Sequence, residues 1–210
     1  MFGTQDLALF IVSGLLLNIA PGPDSLLIMT RGAAHGWRAG CAAALGITAG
    51  CFVHIFGAAL GLSALLATSA TAFTIVKLLG AAYLLYVGFG MLRAKAQAAT
   101  AQAAVPALPL HTIFAQGFLT NVLNPKVAIF FLAFVPQFIA FDAPNKALAF
   151  IFLGCIFNFN GMLWSLFLAF GSSYAGARVR LSAGISRWLD RLIGGVFISF
   201  GVKLALSKQA

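Results

Sequence analysis

Six apolar stretches follow one another along the chain, at 7–30, 40–67, 73–92, 113–141, 147–170 and 185–206. At ~1.5 Å of rise per residue each is long enough to cross a hydrocarbon layer of ~30 Å, so the pattern predicts six transmembrane helices. The polar intervals are short except after the third stretch, where 94–109 is rich in Ala, Gln and Pro and has no periodicity. That interval reads as a linker. The expected organisation is therefore a three-helix unit at 1–93, a cytoplasmic linker at 94–112 and a second three-helix unit at 113–210.

Two of the stretches are interrupted where a spanning helix can least tolerate it. The first contains Asn18, Pro21, Gly22, Pro23, Asp24 and Ser25, and the fourth contains Asn121, Asn124, Pro125 and Lys126. Proline removes a backbone donor, and at membrane depth no water replaces the lost hydrogen bond. Broken backbone survives there only inside protein or along a wet cavity, so both interruptions read as binding-site candidates. Each is a helix-breaking Pro followed by a charge, and the charges are opposite. A new half-helix is expected after each break, with Asp24 and Ser25 in the first turn of one and Asn124 capping the other. Such starts expose unpaired N–H groups and about half a positive charge.

Composition strengthens the membrane reading. Of 210 residues 61% are hydrophobic and only 8% charged, against about a quarter in soluble domains. The net charge of +9 does not indicate nucleic acid, because the basic residues flank apolar stretches instead of forming a patch. Arg31, Arg38, Arg93, Lys95, Arg178, Arg180, Arg187 and Arg191 fall after odd-numbered stretches, against Lys77, Lys146, Lys203 and Lys208 on the other side. This predicts a cytoplasmic location for the odd loops and periplasmic termini. The amino terminus lacks a basic n-region and a small-x-small cleavage site, so Leu7 onward is expected to be an uncleaved span and not a signal peptide.

The halves show an internal likeness. The run from Lys77 to Tyr86 matches that from Arg191 to Phe200 with base, glycine and both aromatics in register. Together with the paired breaks this predicts two three-helix repeats, and an odd number of spans per repeat forces the copies into opposite orientations. The two breaks would then converge on one central cavity. There an amino acid's carboxylate would meet Lys126 and the exposed N–H groups, and its ammonium Asp24 or the carbonyls freed at the first break. Asn18, Asn121 and Gln116 are candidates to hydrogen-bond the side chain. An Asp24–Lys126 ion pair is expected when no substrate is bound. Protonating Asp24 would weaken its hold on an ammonium and so couple transport to protons. The plainer reading makes Asp24 and Asn124 helix caps and Lys126 an interface anchor, which is compatible with binding.

Other features read as packing. Gly46, Gly50, Gly57 and Gly61 fall within an arc of about 60° at 100° per residue, a smooth face for another helix. Cys41, Cys51 and Cys155 read as small core residues, and His54, three positions after Cys51, as a packing or polar contact more than a metal ligand. His35 and His111 fall at predicted loops. Asn158 and Asn160 bond between helices or line the cavity, and the Trp and Tyr residues anchor or pack, with Tyr83 and Tyr86 as possible lining. Nothing resembles a catalytic motif, a cofactor-binding loop or a metal cluster, and without an ATP-binding motif transport must be gradient-driven.

On Pro21 to Asp24, on Asn121 to Lys126 and on the run Phe130 to Phe138 that follows, the sequence resembles the lysine exporter superfamily, and within it the homoserine/threonine efflux branch. The likeness extends over nearly the whole chain, to Arg187–Arg191 and the glycine-bearing last stretch. It implies a bacterial inner-membrane exporter of amino acids, driven by the proton gradient, with Pro21–Asp24 and Asn124–Lys126 at its site. A neutral, threonine- or homoserine-like substrate is favoured over lysine, since no second intramembrane acid awaits a side-chain cation. An exporter of divalent metals and an intramembrane scaffold or lipid enzyme remain as alternatives, and homo-oligomerisation stays open.

Overall fold

The computed structural model describes residues 2–64, 70–93, 105–140 and 142–175, and isolated helical positions between 188 and 205. The linker residues 94–104 lie outside this description, as do Lys95, Arg178, Arg180, Arg187, Lys203 and Lys208 of the orientation argument. Among the described residues every regular element is helical. Helix α1 spans Leu7–Ile19, α2 Pro23–His35, α3 Trp37–Gly57, α4 Ala70–Arg93, α5 Leu110–Val122, α6 Pro125–Ile129 and α7 Lys146–Ala175. A wide π turn at Ala58–Leu62 continues α3, and a π turn at Phe130–Phe134 followed by a 3-10 turn at Val135–Phe138 continues α6.

Among the described residues two single helices, Trp37–Leu62 and Lys146–Tyr174, are long and apolar enough to cross a membrane. Two more candidates are bent pairs: α1 with α2 turns by 53°, and α5 with Pro125–Phe138 by 45°. The expected breaks are thus real bends, at the expected residues. Pro23 occupies the first helical position of α2 after extended Gly22, and Pro125 does the same in α6 behind Asn124.

The bent pairs run antiparallel, and hydrogen bonds at both ends and in the middle fix this. At one end Gln5 N donates to Phe138 O at 2.9 Å and Ala140 N to Gly3 O at 2.8 Å. At the other, Arg31 Nη1 donates to Pro106 O and Nη2 to Gln116 Oε1, both at 2.9 Å. Midway, Asn121 Nδ2 donates to Asp24 Oδ2 at 2.8 Å. The third and sixth stretches, which carry the sequence likeness, lie side by side. A Cβ on Gly88 would stand 2.8 Å from Gly194 O, and one on Gly201 3.1 Å from Ala81 O.

Packing differs between the two ends. Near Phe138 a cluster of rings, including Phe10, Phe130, Phe131, Phe134, Phe150 and Phe157, fills the interior, with Phe130 stacked on Phe157 at 4.2 Å. Near Pro106 the interior is made of small residues, Ala39, Ala43, Ala44 and Ala169 with Ile28, Ile47 and Ile113. Large apolar side chains such as Leu60, Leu79 and Phe167 are 73%, 67% and 64% exposed, a pattern that suits lipid and not water.

The glycine face of α3 is used in its first half. Gly46 lies against the backbone of Phe114 and Phe118, Gly117 of α5 answers against Ala43 and Ile47, and a Cβ on Gly50 would stand 2.7 Å from Phe118 O. Beyond that level α5 ends and the chain bends away, and among the described residues no other element has an atom within 4 Å of a Cβ built on Gly57 or Gly61. Gly50→Val is therefore expected to force α3 and α5 apart and destabilise the protein by roughly 1–3 kcal/mol, whereas Gly57→Val changes little. Thermal unfolding of the two variants in detergent measures the contrast.

Candidate functional site

The breaks orphan particular carbonyls, and the structure shows what takes them. In an unbroken helix Leu17 O would accept from the N–H of residue 21, but that residue is Pro21. Lys126 Nζ takes it instead, donating to Leu17 O at 2.9 Å and to Ala20 O at 3.0 Å. Likewise Asn121 O has lost the N–H of residue 125 to Pro125. It accepts from His54 Nε2 at 2.9 Å and from Asn124 N at 2.9 Å. A carbonyl can only accept, so His54 Nε2 carries the proton. His54 also stacks on Phe131. Its expected role as a polar contact acquires a cause: it satisfies backbone broken by the second proline.

Asn124 Oδ1 accepts from Lys126 N at 3.0 Å, capping α6 as expected. The cap fixes the turn from which Lys126 reaches across to the end of α1. Asp24 sits in the first turn of α2, where the helix dipole favours its charge. Its Oδ2 accepts from Asn121, while its Oδ1 is buried and has no hydrogen-bond partner.

These groups surround one cavity of about 40 Å³. Of the residues expected at the site, Asn18, Gly22, Asp24, Ser25, Asn121, Asn124 and Lys126 all line it, whereas Pro21 lies in the break outside the lining. On the scale at which one water needs ~10–15 Å³, the hollow has room for a few waters.

Helix α7 supplies a wall of which only Asn158 was a candidate from the sequence. Phe157, Asn158, Gly161, Trp164 and Ser165 line the cavity at a spacing that puts them on one helical face. The signal was there, as a stripe of Asn, Gly, Trp and Ser within a phenylalanine-rich helix. Asn158 both bonds between helices, donating to Thr48 O at 3.2 Å, and lines the cavity. Asn18 donates to Phe157 O at 3.4 Å from the opposite side. Trp164, expected to anchor or pack, has a buried indole Nε1 without a partner, and Asn121, only 3% exposed, has an Oδ1 in the same condition. Asp24 Oδ1, Asn121 Oδ1 and Trp164 Nε1 are thus three orphaned polar atoms on residues of one cavity wall.

Several expectations need correction. Arg31 is not in a loop: it is 7% exposed, within α2, and holds Pro106 O and Gln116 Oε1. Gln116, expected to meet substrate, serves Arg31 and is absent from the cavity wall. Tyr86 is 75% exposed and borders an outer groove with Phe89, Gly90 and Arg93; the side chain of Tyr83 lies outside the described residues. His35 ends α2, with Nε2 3.1 Å from Val105 O. Among the described residues no three His, Cys, Asp or Glu side chains gather to hold a metal ion.

Comparison with known proteins gives a consistent family. The family model described as LysE type translocator matches residues 15–208. Proteins named leucine efflux protein in an Enterobacter species and in Klebsiella pneumoniae are each 30% identical over 204 residues, covering 97% of this chain and 97% and 96% of their own. The uncharacterized membrane protein YrhP of Bacillus subtilis is 33% identical over 211 residues, covering 97% of this chain and 100% of its own. No solved structure matches.

Proposed function

Because the chain belongs to the LysE type translocator family and is a multi-pass membrane protein, we propose that it exports neutral α-amino acids across the bacterial inner membrane in exchange for protons. The observation that carries this reading is the convergence of Asp24 and Lys126, from two antiparallel broken helices, on one cavity wall. A zwitterion carries the complementary charges at a fixed short separation. The relatives named leucine efflux protein support efflux and an amino-acid cargo.

In this proposal six spans form two inverted repeats, 1–93 and 113–210, joined through 94–112, with both termini periplasmic. The antiparallel course of the two bent pairs supports the inversion. Substrate enters after the cavity widens. Its carboxylate draws Lys126 off the carbonyls of Leu17 and Ala20, and its ammonium takes Asp24 Oδ1. Exit into the periplasm is followed by protonation of Asp24, which returns the empty site inward. Ser25, Thr48 and Ser165 offer hydroxyls, and Leu17, Ile47 and Val127 apolar surface, so the wall suits both hydroxylated cargo such as threonine or homoserine and aliphatic cargo such as leucine. Among the described residues it offers no second carboxylate for lysine.

Proteoliposomes loaded with labelled leucine, threonine, homoserine or lysine test this. With the same concentration of amino acid on both sides and an imposed proton gradient, acid outside, net efflux of at least one neutral amino acid is expected, abolished by a protonophore, with lysine retained. Preferential release of lysine, or indifference to the protonophore, contradicts the reading.

A further inference from the structure

The three orphaned atoms of the cavity wall do not ask for the same partner. Asp24 Oδ1 and Asn121 Oδ1 are acceptors and need donors. Trp164 Nε1 is an indole N–H, which can only donate and needs an acceptor. A buried polar group without a partner is costly, so three such atoms on residues lining one hollow mark a place where a bound molecule, water or ligand, completes them. A bare cation leaves the indole unanswered, and an anion has no use for two acceptors, one of them a carboxylate. A molecule with a cationic donor and an anionic acceptor a few ångströms apart answers all three.

The geometry points to Trp164 as a substrate-binding residue whose indole N–H holds the carboxylate of the transported amino acid, opposite an ammonium pole formed by Asp24 Oδ1 and Asn121 Oδ1. This deepens the amino-acid reading above and rests on it. The indole is held in place by its neighbours, since its ring stacks on Phe167 at 5.3 Å, and Ser165 beside it also lines the cavity. Lys126 supplies charge to the carboxylate and the indole supplies direction. Because Trp164 belongs to α7 while Asp24 and Asn121 belong to the bent pairs, the substrate ties the straight helix to the broken ones. Molecules with an ammonium but no carboxylate engage one pole only.

The test is binding by the purified full chain in detergent, read by displacement of labelled leucine and of labelled threonine. The competitors are leucine, threonine and 3-methylbutylamine, which is leucine without its carboxylate. Trp164→Phe is expected to weaken the amino acids roughly tenfold or more, the loss of one charge-assisted hydrogen bond, and to leave the amine within about twofold. Trp164→His, which keeps an N–H donor, is expected to recover part of the loss. Equal weakening of amino acid and amine assigns Trp164 to packing and overturns the proposal. Unchanged amino-acid binding overturns it too, and assigns the indole N–H to water. Absence of binding by the wild type removes the zwitterion site and this inference together. Binding with normal Trp164 dependence, but without efflux from proteoliposomes, sinks the export reading alone.

Discussion

Asp24→Asn is expected to abolish amino-acid efflux while leaving the protein folded and inserted. The substitution keeps size and shape and leaves an amide facing Asn121, so the contact now made at 2.8 Å is altered but not emptied. What disappears is the negative charge, in a wall whose other described residues offer an ammonium only neutral acceptors. Removing one partner of a buried, hydrogen-bonded charge pair costs about 2–5 kcal/mol, roughly thirty- to several-thousandfold in binding. Initial rates of efflux from proteoliposomes measure the loss, and the thermal midpoint in detergent serves as control. The proton requirement should vanish along with the transport. Efflux that persists in the variant and still collapses with a protonophore would place proton coupling elsewhere.

Lys126→Met is expected to fail in a different way, losing transport and stability together. Lys126 has a structural duty that Asp24 lacks, because its ammonium satisfies Leu17 O and Ala20 O at the broken end of α1. Methionine fills the space but donates nothing. The freed carbonyls then stand at membrane depth without partners, at about 1–3 kcal/mol each where no water reaches them. The thermal midpoint should fall clearly below that of Asp24→Asn, and efflux should be lost. A Lys126→Met protein as stable as wild type would mean that the end of α1 is satisfied by other groups.

The difference between these variants shows what the sequence could and could not disclose. The breaks were legible because Pro21, Pro23 and Pro125 remove donors from the backbone itself, a local fact that needs no tertiary knowledge. Lys126 was legible as a candidate site residue for its charge, but its duty to Leu17 was not, because that partner lies 109 positions away. Arg31 misled for the same reason. A base just after an apolar run reads as a loop charge that sets orientation, and only folding shows Pro106 and Gln116 75 and 85 positions on. The glycine face was half right. Gly46 and Gly50 found the backbone of α5, while Gly57 and Gly61 lie beyond the bend that carries the next segment away. Trp164 was hidden by its neighbours, since a lone indole among phenylalanines looks like one more ring until its N–H is found buried and unanswered. Charge and backbone chemistry project into sequence, and the distant partners that make a neutral side chain functional do not.

Two antiparallel broken helices bring an acid and a base to one cavity, and a zwitterion is proposed to bind there. The structure of the full chain with bound leucine or threonine tests it most directly. The account predicts the ammonium within hydrogen-bond distance of Asp24 Oδ1, the carboxylate within reach of Trp164 Nε1 and Lys126 Nζ, and a cavity widened from its present 40 Å³. An amino acid seated elsewhere, with Lys126 still holding Leu17 O and Ala20 O and the three orphaned atoms still unanswered, would contradict it.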